Sequence, residues 1–282
     1  MPPRFVAAGV SENNRGEGKR AARERLIQER ERNKVREKRR RTLIVSAAVV
    51  CVLGLAAVVG VIAANRGGGG EAAGPAVAPS GAQGKDSLAI PVGAPGAPST
   101  LTVWEDFRCP ACGSFENGFR DTVHELQKAG QLKVEYHLVR LIDRNLRGTG
   151  SLRAANAAAC AQDAGKFSAY HDVLYINQPP ELEDAYAKNS RLIELAAKVP
   201  GLDTPAFRAC VEDGKHDSWV NKSDAVFKAG KYGGTPTVLL NGESIFPSKG
   251  NEPLTTANLK KWVAAANKGK KPASASPSPA AS

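Results

Sequence analysis

The sequence predicts an α/β domain interrupted by a block of helices and preceded by a single membrane-spanning helix. Three observations predict it. A β-branched and aromatic run, Leu101-Thr102-Val103-Trp104, leads into Cys109-Pro110-Ala111-Cys112, after which Phe115, Phe119, Val123 and Leu126 recur at helical spacing. Far downstream, Gly234-Thr235-Pro236 opens a second apolar run, Thr237-Val238-Leu239-Leu240, with the proline at a strand start, where its missing N–H costs least. Near the beginning, Leu43 to Ala64 is a run of 22 residues without a charge. At about 1.5 Å per residue it is long enough to cross a hydrocarbon core of roughly 30 Å.

Taken in order, residues 1–42 form a basic tail. The 282-residue chain has a net charge of +11, and residues 1–41 supply +8 of it, with 14 Lys or Arg against 6 Glu. Arg and Glu alternate from Arg20 to Arg41, which suits a solvated helix lying on anionic headgroups. Nucleic-acid binding would want an aromatic or motif context that this run lacks, so no nucleic-acid partner is expected. Residues 43–64 read as the membrane span. A cleaved signal peptide ending at Ala63-Ala64 is the alternative, but its apolar core normally runs to only about 7–15 residues. Lys38-Arg39-Arg40-Arg41 precedes the span and only Arg66 closely follows it. The positive-inside rule therefore puts the N-terminus in the cytoplasm, with a single pass through the cell membrane and everything after it extracytoplasmic. Residues 65–86 are rich in Gly, Ala and Pro and read as a flexible linker, and residues 268–282 read as a disordered tail.

Residues 87–267 are then one domain. A second strand, Leu132 to Leu141, puts Leu132, Val134, Tyr136 and Leu138 on one face. If it lies parallel to the first, a crossover helix is required, and residues 115–130 supply one. From about 148 to 230 the signals are helical: an Ala-rich stretch around Ala154 to Ala164, Ser190 as a cap before Leu192, a stop at Pro200-Gly201, and Thr204-Pro205 as cap and first position of another helix. The strands resume at Thr237, turn at Asn241-Gly242 with a type I′ signal, and return through Ser244-Ile245-Phe246. Leu259, Trp262 and Val263 mark a closing helix.

Two thiols three positions apart at a helix start suit thiol–disulfide exchange. The unpaired N–H groups and dipole of the helix N-terminus favour a thiolate on the first cysteine, and proline at the next position sacrifices no helical hydrogen bond. Cys109 is therefore the expected nucleophile and Cys112 the resolving partner. A static disulfide would be unusual in so small a loop. A zinc site would need two further ligands, yet no second C-x-x-C exists, and His124, His137, His171 and His216 show no ligand spacing. No metal or other cofactor is expected. Cys51, inside the apolar run, reads as a small apolar residue.

The domain resembles the DsbA-like thioredoxin family of thiol:disulfide oxidoreductases, in particular its membrane-tethered members from bacteria without an outer membrane. The likeness rests on Ile90-Pro91-Val92-Gly93, on Glu105-Asp106-Phe107-Arg108-Cys109-Pro110-Ala111-Cys112, and on Gly233-Gly234-Thr235-Pro236-Thr237-Val238 with Asn241-Gly242. It implies a thioredoxin fold in which Pro236 is cis and, with Thr235, forms a lip that packs on the redox pair and pairs with substrate backbone. An ordinary trans proline is the alternative. Some relatives carry a second disulfide in the helical block, which here would join Cys160 to Cys210; two buried free thiols are the alternative.

The resemblance further implies a monomeric oxidase that donates its disulfide to reduced secreted or envelope proteins. A quinone-linked membrane enzyme, DsbB-like or similar to vitamin K epoxide reductase, would recharge it. A reductase or isomerase, a surface binding module without catalysis, and an enzyme with one dedicated client remain alternatives. Two positions depart from the family. Ala111 stands where strongly oxidising relatives often have histidine, so Pro110-Ala111 should tune the pair to a less oxidising potential. Val103 stands where many thioredoxins bury an acid; Glu105 or Asp106 could relay protons instead, although carboxylates at a strand end are more often exposed.

Overall fold

A computed structural model of the chain describes residues 76–274. The basic tail, the Leu43 to Ala64 segment, the linker up to residue 75 and the tail beyond 274 lie outside the described residues. Among the described residues no helix is long and apolar enough to cross a membrane.

The sheet has five strands: β1 (Ile90–Val92), β2 (Ser99–Glu105), β3 (Leu132–Leu138), β4 (Thr237–Leu240) and β5 (Glu243–Ser244), in the order β1-β3-β2-β4-β5. β2 and β3 are parallel, from Ser99 opposite Leu132 to Glu105 opposite Leu138, and α1 (Pro110–Lys128) makes the crossover that such a pair requires. β4 lies antiparallel on the other side of β2, with Val238 opposite Val103, and β1 lies antiparallel to β3. Along β3, Leu132, Val134, Tyr136 and Leu138 are buried while the residues between them are half-buried, the alternation of a strand with one core face. In β2 both faces close over at the C-terminal end, where Val103, Trp104 and Glu105 are all buried.

Between β3 and β4 come α2 (Leu141–Leu146), α3 (Gly150–Asp163), α4 (Phe167–Ile176), α5 (Asn189–Ala196), α6 (Pro205–Glu212) and α7 (Asp217–Ala229). A small ribbon, β6 (Ser248–Lys249) with β7 (Glu252–Pro253), and α8 (Thr256–Ala266) close the domain. α3 is the hub of the helical block. It buries Ala154, Ala155, Ala157, Ala158, Ala159 and Ala161, so it is apolar nearly all round and its small side chains let α4, α6 and α7 pack against it. Cys160 and Cys210 are joined, tying α3 to α6 across 50 residues. Thr204 caps α6 through Phe207 N, with Pro205 at the first helical position.

Several local expectations are corrected. β3 ends at Leu138, and Leu141 begins α2 instead, because the buried Asp106 carboxylate accepts Ile142 N at 2.8 Å and bends the chain. Ser190 is inside α5; Lys188 holds the cap position, and the Asn189 side chain reaches across to the Val211 carbonyl. The return strand is cut to Glu243–Ser244, and a second cis proline bond, Phe246-Pro247, follows it. Asn241 and Gly242 both have positive φ, at 51° and 88°, as a type I′ turn demands.

Residues 76–86, assigned by composition to the linker, are fastened to the helical block. Val77 N donates to Ser218 Oγ, Ser80 N to Asp163, and Gln162 to the Ser80 carbonyl, while a His216 ring nitrogen lies 2.7 Å from the Val77 carbonyl. These groups satisfy the strap's backbone, which a composition count does not register. At the other end, Ala273 N donates to the Gly130 carbonyl, so the chain after α8 is also tied back.

Candidate active site

The site forms where β2 gives way to α1. The chain turns through Asp106-Phe107-Arg108, with Cys109 N donating to the Asp106 carbonyl at 2.9 Å. Cys109 is the N-cap of α1 in extended backbone, Pro110 follows as the first helical residue, and Gly113 N closes the first turn on the Cys109 carbonyl. Both cysteines are free thiols. Cys109 is 6% exposed and Cys112 wholly buried, so the first is the one a large substrate can reach. Pro110 and Ala111 lie exposed beside it.

Thr235 and Pro236 come in from 126 residues away. The Thr235-Pro236 bond is cis, and the Cys109 thiol donates to the Thr235 carbonyl at 3.3 Å. The Thr235 hydroxyl is buried without a hydrogen-bond partner among the described residues. The thiolate of Cys109 is stabilised first by the Cys112 S–H. Burial opposes, but the Thr235 hydroxyl and the backbone N–H groups of Cys112 and Ala111 add to it, and the pKa falls to about 6. Helix-terminal N–H groups thus help less than the two side chains beside them. Burial and the neighbouring Cys109 push the Cys112 thiol well up.

The helical block grips this turn from the opposite side. Gln178 donates through Nε2 to the Phe107 carbonyl at 2.9 Å and to the Cys109 carbonyl at 3.0 Å. A methyl group at Gly113 would sit 2.1 Å from Gln178 Oε1, so only glycine leaves room for that amide. The Arg108 guanidinium, buried, reaches Asp143 at 2.7 Å, Asp184 at 3.1 Å and the Glu181 carbonyl at 3.2 Å. None of these partners stands out in the sequence, because each lies 35 or more residues from the turn and belongs to no local pattern.

Glu105 and Asp106 are both wholly buried, which corrects the expectation of exposed carboxylates at a strand end. Burial pushes Asp106 up to about 7, although the Ile142 and Arg108 N–H groups pull it down. Glu105 Oε1 pairs with His171 Nε2 of α4 at 2.8 Å. Burial works against a charge on His171, but Glu105 and Asp172 outweigh it and lift the imidazole to about 10. Glu116 of α1 is buried next to them, and burial and Glu105 push its carboxyl well up. One ligand atom from each of Glu105, Glu116 and His171 lies within 4.8 Å of the others. They come from β2, α1 and α4, so no spacing along the chain reveals the cluster. Cys160, Cys210 and His216 also approach one another, but the two sulfurs are bonded to each other.

A family model described as Thioredoxin matches residues 86–265. The reduced DsbA of Mycobacterium tuberculosis is 31% identical, with 66% of this chain and 94% of that one covered and a TM-score of 0.54. The reduced disulfide bond oxidoreductase DsbG of the same organism is 32% identical, covering 63% and 86%, with a TM-score of 0.52. Among curated proteins, the Na(+)/H(+) antiporter NhaA 3 of Salinispora tropica is 29% identical over 173 residues, 60% of this chain and 24% of that protein. The chain thus spans about a quarter of the length of the first curated relatives it matches. A mixed sheet with a parallel crossover, a reachable thiol over a buried one at a helix start, and a matched model over most of the described residues agree: the chain belongs to the thioredoxin family, among its DsbA-like thiol–disulfide oxidoreductases.

Proposed function

We propose that the chain is a cell-membrane-anchored, extracytoplasmic enzyme that introduces disulfides into secreted or envelope proteins through Cys109 and Cys112. The observation that carries this reading is the stabilised Cys109 thiolate beside a buried Cys112, since a dithiol form favoured in this way makes the disulfide form a ready donor. A client thiolate attacks Cys109 Sγ, the Cys109–Cys112 bond breaks, and Cys112 leaves with the electron pair and takes a proton. A second client thiolate then attacks the client sulfur of the mixed disulfide, forming the client disulfide and releasing Cys109 as its thiolate. The dithiol is re-oxidised by a quinone-linked membrane enzyme. Thr235 and Pro236 border Cys109 and are assigned to holding the client backbone; Pro110 and Ala111 tune the pair from the rim. The Leu43 to Ala64 run supports the anchor, and the basic tail before it supports a cytoplasmic N-terminus.

The test is the reduction potential of Cys109/Cys112 in the full chain, equilibrated against glutathione buffers. A value at or above about −180 mV supports a disulfide donor, whereas a value near about −270 mV reverses the direction of electron flow and makes the enzyme a reductase.

A further inference from the structure

A neutral side chain of the helical block spans the redox turn. The Gln178 amide carries two N–H protons, and its Nε2 lies within hydrogen-bond distance of two carbonyls, those of Phe107 at 2.9 Å and Cys109 at 3.0 Å. The Cys109 carbonyl also accepts the first helical bond of α1, from Gly113 N at 3.1 Å. Arg108, between the two carbonyls, is gripped as well, but by buried ion pairs whose loss would leave Asp143 unpaired in the interior. Gln178 is neutral and half-buried, so its hold on the turn can be removed without stranding a charge.

The base of this side chain is itself fixed. At the end of α4, Asn117 of α1 donates to the Tyr175 carbonyl at 3.1 Å, Asn177 donates to the Val173 carbonyl at 2.7 Å, and Pro179-Pro180 stiffens the chain beyond. The Tyr175 ring packs on that of Phe107, with centroids 5.0 Å apart. The other end of the amide fills the space over Gly113, where a methyl group would lie 2.1 Å from Oε1 and 2.9 Å from Cδ. The tip of a glutamine can swing away from a methyl group, but here only by giving up both carbonyls. Gly113 lies inside α1 and is not among the glycines with positive φ, so its own backbone does not require glycine, and alanine is the better helix former. The glycine serves the amide above it.

We propose that Gln178, seated over Gly113, is a positioning residue for thiol–disulfide exchange: it fixes the Cys109 backbone so that Sγ meets the incoming thiolate in line with the bond to Cys112. The inference rests on the oxidoreductase reading above. The client sulfur bonds to Cys109 Sγ as the Cys109–Cys112 bond breaks, and Cys112 Sγ leaves with the electron pair. Attack comes from behind the leaving sulfur, so a small rotation of the Cys109 backbone takes the three sulfurs out of line and raises the barrier. In the dithiol form Cys109 is held by two distant segments, at its carbonyl by Gln178 and at its sulfur by Thr235 at 3.3 Å. The amide grips carbonyls and neither sulfur, so making and breaking sulfur bonds takes nothing from it.

The test uses the full-length chain and glutathione, in single turnovers run in both directions: reduced glutathione on the disulfide form, and oxidised glutathione on the dithiol form. Wild type, Gln178→Ala, Gly113→Ala and the double variant are compared. Gln178→Ala should slow both directions about 10-fold, short of the roughly 100-fold that a 1 Å misplacement costs, and leave the equilibrium with glutathione where it was. In turnover of a reduced two-cysteine peptide with oxidised glutathione, the loss should fall on kcat with KM unchanged. Gly113→Ala should slow exchange by a similar factor in the wild-type background and by a factor of about 1 in the Gln178→Ala background, where no amide is left to displace. Cys109 should titrate near 6 throughout, because the amide does not touch its sulfur. Wild-type rates in Gln178→Ala, or an equal effect of Gly113→Ala in both backgrounds, would overturn the proposal and leave the oxidoreductase reading standing. So would a shifted equilibrium that accounts for the slower rate, since the amide would then stabilise one redox form and not the transition state. Failure of wild type to exchange at all would overturn the oxidoreductase reading instead.

Discussion

Replacing Thr235 by valine keeps the side chain's shape at the lip but deletes the hydroxyl that has only Cys109 to serve. Replacing Cys112 by alanine deletes the S–H, the larger of the two stabilising contacts on the thiolate. The Cys109 titration, followed by thiolate absorbance, should therefore move up from about 6 in both variants, further for Cys112→Ala than for Thr235→Val. For the valine variant a rise of about 1 pH unit matches the loss of one hydrogen bond to a charged group. If the two variants titrate like wild type, the helix N-terminus alone holds the thiolate. The cysteines and Thr235-Pro236 were legible as residues because each belongs to a short pattern. Gln178, Arg108 and Glu116 were not, because their meaning lies in what packs on them: a polar side chain is ordinary in sequence and becomes informative only once it is buried without water.

Among the elements, α3 carries the helical block, and the Cys160–Cys210 bridge pins α6 to it. Closing a loop of 50 residues contributes about 4 kcal/mol in the chain-entropy estimate. The double variant Cys160→Ser/Cys210→Ser should lose about that much stability in urea titration while still titrating Cys109 near 6, since neither sulfur touches the redox turn. An unchanged midpoint under oxidising conditions would deny the bridge a stabilising role. Helix periodicity and capping signals located α1, α6 and α8 well, because each has an apolar stripe or a Thr cap that acts locally. Ends decided by distant partners were misplaced. β3 stops where Asp106 takes the next N–H, and the strap over residues 76–86 looks like linker in composition but has its backbone claimed by Asp163, His216 and Ser218.

At the scale of the molecule, the buried titrating groups set how stability varies with pH. His171 is raised from 6.5 to about 10, so its stabilisation is complete below 6.5 and lost as pH climbs through 10. Asp106 is raised from 3.8 to about 7; the folded state holds its proton more tightly than the unfolded one, so stability declines between those values. His137, on the opposite side of the account, is lowered by burial from 6.5 to about 4, and that cost appears as pH falls through the same range. Between about 4 and 6.5 the last two effects oppose each other; above 6.5 Asp106 and His171 lose stability, whereas in the dithiol form Cys109, lowered to about 6, gains it, so the disulfide form isolates the loss. Chemical denaturation midpoints of the disulfide form, in which Cys109 does not titrate, should therefore be flattest in mildly acid buffer and fall from pH 6.5 to pH 10, and His171→Gln should remove most of that alkaline fall. A midpoint rising over that interval would contradict the charged His171–Glu105 pair. The parallel crossover and the helical insertion were legible at this scale from the order of the elements, whereas the Glu105–Glu116–His171 cluster was not, since no single element contains it.

The distance along the chain between Cys109 and its partners has a consequence for a protein made from one end. Gln178 arrives 69 residues after Cys109, and Thr235 arrives 126 residues after it. Until Thr235 is in place, Cys109 lacks one of the two side chains that stabilise its thiolate, and its pKa stands above the value of about 6 in the finished protein. Full reactivity thus comes only with the arrival of the last long strand, and a half-made chain is slower to scramble the cysteines of its neighbours or its own Cys160 and Cys210.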